Sequence, residues 1–203
     1  MILFDLDGVL VDSRPLIEEI WRSWALPRGL DADRFIRVAH GRRTSETLRQ
    51  VAPDLDIVAN TAVLDAMEEV AVEGLAPMSG AVELLASLEP GSWAIVTSGS
   101  RAVATLRLRT AGLPIPDVMV TGEDVEHGKP NPEPYLLGAA RTGTDPSSCI
   151  VVEDAPAGVA AGKAAGMRVV AVTTTHHRGA LAQADVVLGD LWELPALFRR
   201  WDR

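Results

Sequence analysis

Two acids one residue apart, Asp5 and Asp7, follow the apolar run Ile2-Leu3-Phe4, and Gly8 stands directly after them. Carboxylates so placed can act as nucleophile and general acid/base, can ligate a cation, or can do no more than cap a turn. A calcium loop counted from Asp5 would need glycine at its sixth position and an acid at its twelfth, where the chain has Leu10 and Leu16. Three further stretches have chemistry to offer. Thr97-Ser98-Gly99-Ser100 follows the apolar Trp93–Val96. Alone it reads as a helix cap, but the same turn gathers free amides and a hydroxyl around a phosphate. Lys129 sits in Gly128-Lys129-Pro130-Asn131-Pro132-Glu133-Pro134, where prolines stiffen the approach to a helix. Glu153-Asp154 ends the apolar run Cys149–Val152, and adjacent like charges with no nearby partner have little structural reason to be there.

The elements that must position these residues are legible from apolar spacing. From about Ala81 the chain alternates: helix Ala81–Leu88, strand Trp93–Thr97, helix Arg101–Ala111, strand Asp117–Val120, helix Pro132–Thr142, strand Cys149–Glu153, helix Ala157–Ala165, strand Arg168–Val172, and a short strand near Asp185–Leu188. Such alternation predicts an α/β fold, a Rossmann-like, doubly wound parallel sheet with helices on both faces. No G-x-G-x-x-G follows any of these strands, which leaves a dinucleotide site without support. In such sheets ligands bind beyond the carboxyl ends of the strands, so the four reactive stretches converge on one edge.

One interval is too long for a strand–helix–strand unit of some 30 residues. The first strand ends near Leu10 and the next begins near Trp93. Ile17, Trp21 and Trp24 share one helical face, and further helical patterns cover about Asp31–Ala39, Thr44–Val51 and Leu55–Val72, with no strand evident among them. The reading is an all-helical cap over residues 14–76, inserted in a core of residues 1–13 and 77–203. Asp12 or Ser13 is expected to cap its first helix.

The stretch Ile2–Ser13 resembles the nucleophile motif, hhhhDxDGxxxDS in outline, of the haloacid dehalogenase-like (HAD) phosphohydrolases with a helical cap. Thr97–Ser100, the G-K-P-x-P around Lys129 and VVEDAPAGVAAGKAAG resemble that family's second, third and fourth motifs. The resemblance implies that Asp5 attacks phosphorus and becomes an aspartyl phosphate, with Asp7 as general acid/base. It also implies that Ser98 and the Gly99 amide hold the transferred group, with Thr97 as second choice. Lys129 would neutralise charge, and Asp154, with Glu153 directly or through water, would join Asp5 and Asp7 around a metal. Asp5, Asp7, Glu153 and Asp154 against Lys129 leave a local charge of roughly −3, which would repel a phosphate dianion unless a divalent cation intervened. Mg2+, which takes a few carboxylates, water and substrate phosphate, suits this set.

Within the expected cap, HGRRTSETLRQVAPDLD is similar to the glycerol-3-phosphatase and 2-deoxyglucose-6-phosphatase branch, as are EHGKPNPEPYLLG and the fourth motif. That likeness implies a sugar or polyol phosphate as substrate, with His40, Arg42 and Arg43 as candidate donors to its hydroxyls. A beta-phosphoglucomutase-like mutase shares the core motifs but carries an arginine where this chain has Thr44. A signalling receiver also pairs an acceptor Asp with a hydroxyl residue and a Lys, but on a middle strand and without a helical insertion.

Composition narrows the partners. A net charge of −9 argues against a nucleic-acid backbone or an anionic membrane. With 47% hydrophobic residues the chain can build a substantial core, and its single cysteine, Cys149, is expected to be buried and excludes an internal disulfide. No leader or long apolar segment is evident, so a cytoplasmic monomer is the expectation. His176-His177 reads as a surface loop, and Trp192, Phe198 and Trp201 as the packing of a terminal helix.

Overall fold

The computed structural model describes residues 1–201. Ile2-Leu3-Phe4 forms β1 (Ile2–Phe4), a strand apolar on both faces, which demands an inside place in a sheet. It lies between β4 (Trp93–Val96) and β6 (Ile150–Glu153), in register with Leu3 opposite both Ala94 and Val151. With β5 (Met119–Val120), β7 (Arg168–Val172) and β8 (Val186–Leu188) they complete a parallel sheet of order β5-β4-β1-β6-β7-β8. The doubly wound α/β core is thus as the alternation predicts.

Successive strand residues point to opposite faces, so Leu3 and Phe4 enter different layers. Phe4, Ile95 and Val152 pack under α5 (Ala81–Ser87), α6 (Arg101–Thr110) and α9 (Leu194–Trp201). Leu3, Ala94 and Val151 pack under α7 (Glu133–Arg141) and α8 (Pro156–Ala164). Burying each such side chain contributes about 1.5–3 kcal/mol. Cys149 is buried in the second layer. Phe198 and Trp201 pack α9 on the first, whereas Trp192 stays 54% exposed, its indole N–H donating to Ser79 Oγ at 3.0 Å.

Helices α1 (Arg14–Ala25), α2 (Ala32–Ala39), α3 (Thr44–Val51) and α4 (Ile57–Glu68) form a separate apolar cluster around Trp21, Trp24, Phe35, Leu48 and Leu64. Trp21 stacks on Phe35 with ring centroids 5.5 Å apart, and Trp24 meets Phe35 edge-on at 5.2 Å. Asp31 and Asp56 cap α2 and α4 through the amides of Arg34 and Ala59.

Two features depart from the sequence reading. A short antiparallel pair, β2 (Val11–Asp12) with β3 (Ala76–Pro77), joins the two chain crossings between sheet and helices. Two residues are too few for an alternating pattern, and the partners meet only when the helical unit folds. Ser13 does stand at the N-cap of α1, but its hydroxyl makes no cap bond; it donates to Asp7 Oδ1 at 2.6 Å.

Candidate active site

The sheet carries the reactive stretches to one edge. Asp5 leaves β1 with its amide donating to the Val152 carbonyl, and Thr97 leaves β4 with its amide donating to Val120. Glu153 ends β6 and Asp154 follows it. The chain turns back after Asp7 through Gly8, whose φ of +78° lies in the left-handed region. A Cβ there would run into Asp154 and Thr175, so glycine is required for conformation and for space.

Lys129 comes from the loop before α7 and is wholly buried. Its ammonium donates to Asp5 Oδ1 at 2.5 Å, Glu153 Oε1 at 2.7 Å and the Val96 carbonyl at 2.9 Å, which uses all its hydrogens. Burial works against this charge, but Asp5 and Glu153 outweigh it and hold Lys129 above the usual ammonium range. Burial pushes Asp5 up to about 7, against the pull of Lys129, and pushes Asp154 well above the carboxylate range, with Glu153 and Asp5 adding to it.

Glu153 is saturated. Oε1 also accepts from the buried Tyr135 hydroxyl at 2.7 Å, and Oε2 accepts the amides of Asp154 and Ala155 at 3.0 and 3.2 Å. Gly158 of α8 sits against this carboxylate so closely that any Cβ would overlap it. With its lone pairs so occupied, Glu153 is suited to holding Lys129 rather than to binding a cation outright.

One oxygen each from Asp5, Glu153 and Asp154 lies within 4.8 Å of the others, all three residues being buried. Asp5 and Asp154, buried and with raised proton affinity, form a site short of positive charge, and a set of hard oxygens fits a divalent cation. The Asp7 carboxylate, expected around the same metal, does not join this cluster. Ser13 holds its Oδ1, and Arg107 Nη1 donates to its Oδ2 at 2.8 Å.

These groups open on a pocket of about 240 Å³ lined by Asp5, Asp7, Asp154, Thr97, Ser98 and Gly99 on the sheet side. Ser98, the preferred hydroxyl, spends its hydrogen on the Gly41 carbonyl at 3.1 Å. Thr97 Oγ1 accepts the Gly99 amide at 3.2 Å and keeps its hydrogen for another partner. The geometry therefore favours Thr97 over Ser98 as donor.

On the helical side His40 and Arg42 line the pocket. Arg43 lines it too but is committed elsewhere. It pairs with Glu46 Oε1 at 2.5 Å and donates to the carbonyls of Gly122, Val125 and Glu126 at 3.3, 3.1 and 2.8 Å, clamping helical unit to sheet. His176 departs from the surface-loop reading. It is half-buried, within 3.1 Å of the Asp154 carbonyl, with its ring centroid 6.0 Å from that of His40. Burial lowers both imidazoles below their ordinary range and so favours the neutral form.

Arg107, Tyr135 and Thr175 escaped the sequence reading. Thr175 binds Asp154, Tyr135 binds Glu153, and Arg107 joins Asp7 to Glu68. A signal for Arg107 was present, since Val103, Ala104, Arg107 and Leu108 share the buried face of α6. An arginine on an apolar stripe needs a buried acid.

Fold and site together define a phosphohydrolase with a helical cap. A family model described as haloacid dehalogenase-like hydrolase matches residues 2–172. The chain belongs to that family. It is 44% identical over 197 residues to hexitol phosphatase A of Escherichia coli, covering 95% of this chain and 91% of that one. To glycerol-1-phosphate phosphohydrolase 2 of Saccharomyces cerevisiae it is 39% identical over 188 residues, covering 85% and 74%. A crystal structure of a hydrolase from Pseudomonas syringae superposes with a TM-score of 0.87 at 26% identity, covering 98% of this chain and 97% of that one. Among the described residues no helix is long and apolar enough to cross a membrane.

Proposed function

We propose that the chain is a Mg2+-dependent phosphatase that hydrolyses small sugar or polyol phosphate monoesters in two displacements at phosphorus. The observation that carries the reading is Lys129, buried against Asp5 at the carboxyl end of the central strand, with Asp154 beside them and the pocket open on Asp5.

Asp5 keeps one carboxylate oxygen bound to Lys129 and attacks with the other; the bond from phosphorus to the ester oxygen breaks as the bond to Asp5 forms. Asp7 gives its proton to the departing alkoxide, then takes one from the water that cleaves the aspartyl phosphate. Thr97 and the amides of its loop bind the phosphoryl oxygens, and Glu153 keeps Lys129 aimed. Asp5 and Asp154 hold the cation, which offsets phosphate charge when bound.

The substrate class follows from the pocket and the relatives. About 240 Å³ suits a small ester. The lining on the helical side, Arg14, Thr44, Ser45, Thr61 and Asp65, mixes donors and acceptors for hydroxyl groups. The two relatives named above are phosphatases of a hexitol phosphate and of glycerol 1-phosphate. A mutase would need a second phosphate site, and Arg43, beside the position where mutases carry arginine, is spent on Glu46 and the three carbonyls. The test is a panel of mannitol 1-phosphate, glycerol phosphates and hexose 6-phosphates with and without Mg2+. Free phosphate only with Mg2+ supports the reading; an isomerised ester without release overturns it.

A further inference from the structure

Arg107 is 3% exposed, yet its guanidinium faces two acids from different parts of the molecule. Nη1 donates to Asp7 Oδ2, just beyond β1, and Nη2 donates to Glu68 Oε2, at the end of α4, each at 2.8 Å. Among the described residues this Glu68–Arg107 contact is the one ion pair between the helical unit and the sheet domain. Asp7 Oδ1 meets Ser13, the residue from which α1 starts. Both restraints on the Asp7 carboxylate therefore lead into the cap.

A planar guanidinium that binds one acid through each amino group aligns them as well as pairing them. Burial raises the proton affinity of Glu68, opposed by Arg107, so this buried acid depends on the cation it shares with Asp7. Lift α4 away and Arg107 loses the partner that fixes its plane; Asp7 then loses a fixed Oδ2. With Oδ2 paired to Arg107, Oδ1 is the oxygen set against the Ser13 hydroxyl, which can accept or donate.

We infer that Arg107 is a positioning residue that, held by Glu68, sets the Asp7 carboxylate for proton transfer only while the fourth cap helix is seated on the core. The inference rests on the phosphatase reading and adds a link between cap seating and protonation of the leaving oxygen.

Leaving-group dependence tests it in the full-length chain with Mg2+. An alkyl phosphate such as mannitol 1-phosphate must be protonated as it leaves, whereas p-nitrophenolate departs unaided, and kcat/KM reports the steps through that departure. Arg107→Met should lower kcat/KM for the alkyl ester by about 10²-fold or more, within the usual worth of a general acid, while the aryl ester loses less than about tenfold. Arg107→Lys should restore part of the alkyl activity. Glu68→Gln keeps the shape and removes the tie, and should show the same selectivity at about tenfold, within the range for a lost charged hydrogen bond. If Arg107→Met does not fold, Glu68→Gln decides alone. Equal losses for both esters, or undiminished alkyl turnover, overturn the inference while leaving an active wild-type phosphatase. A wild-type chain that releases phosphate from neither ester overturns the phosphatase reading as well.

Discussion

Lys129 Nζ lies 2.5 Å from Asp5 Oδ1, with both residues shut away from solvent and 124 positions apart in the chain. The pair ties distant segments of the core together and, on the proposed mechanism, holds the nucleophile. Lys129→Met would leave Asp5 and Glu153 buried without their cation. The expected loss is about 3–5 kcal/mol of folding stability, measured by urea unfolding, together with loss of turnover.

On the proposed mechanism, substitutions of Asp5 and Asp7 separate nucleophilic attack from proton transfer. Asp5→Asn should form no covalent species and release no phosphate. Asp7→Asn should slow turnover by about 10² to 10⁴ yet still load Asp5 to some extent. Intact-mass measurement after rapid quenching detects the added phosphoryl group; undiminished turnover by Asp5→Asn would refute the role of that residue.

The acidic cluster makes the metal-free chain sensitive to pH. Asp5 is raised from 3.8 to about 7 by burial, and Asp154 is raised in the same direction. Between the unfolded and folded values the native state binds the extra proton, so the stability these two carboxyls contribute is full below about pH 4 and falls as pH rises toward 7. Divalent cation should reverse that fall. Thermal unfolding from pH 4 to 8, with Mg2+ and with EDTA, checks the sign, and Asp154→Asn should shrink the Mg2+ effect.

Arg43 spans from the helical unit to three carbonyls of the sheet domain. Arg43→Ala should loosen the closed pocket, raising KM by about tenfold, the cost of one or two charged hydrogen bonds, with a smaller change in kcat. Steady-state kinetics on a hydrolysed ester measures the split. A normal KM would show that the clamp does not support binding.

The sequence by itself determined the alternating core, because strands buried on both faces must be continuously apolar, and the acids and glycine at their tips break that run visibly. Asp5 and Asp154 were legible for that reason, Lys129 by the prolines that follow it, and the helical unit by the spacing of Ile17, Trp21 and Trp24. What it left open was which atoms remain free. Ser98 and Arg43 have suitable chemistry, but the Ser98 hydroxyl is turned to Gly41 and the Arg43 guanidinium to Glu46 and the carbonyls, while Ser13 and Arg107 hold the Asp7 carboxylate apart from the acidic cluster. Partners brought together from distant segments leave no local pattern, and hydrogen-bond capacity is finite. Only the tertiary structure could turn the Ser98 hydroxyl to Gly41, turn Glu153 toward Lys129, and place Arg107 between the acid at the sheet edge and the helix above it.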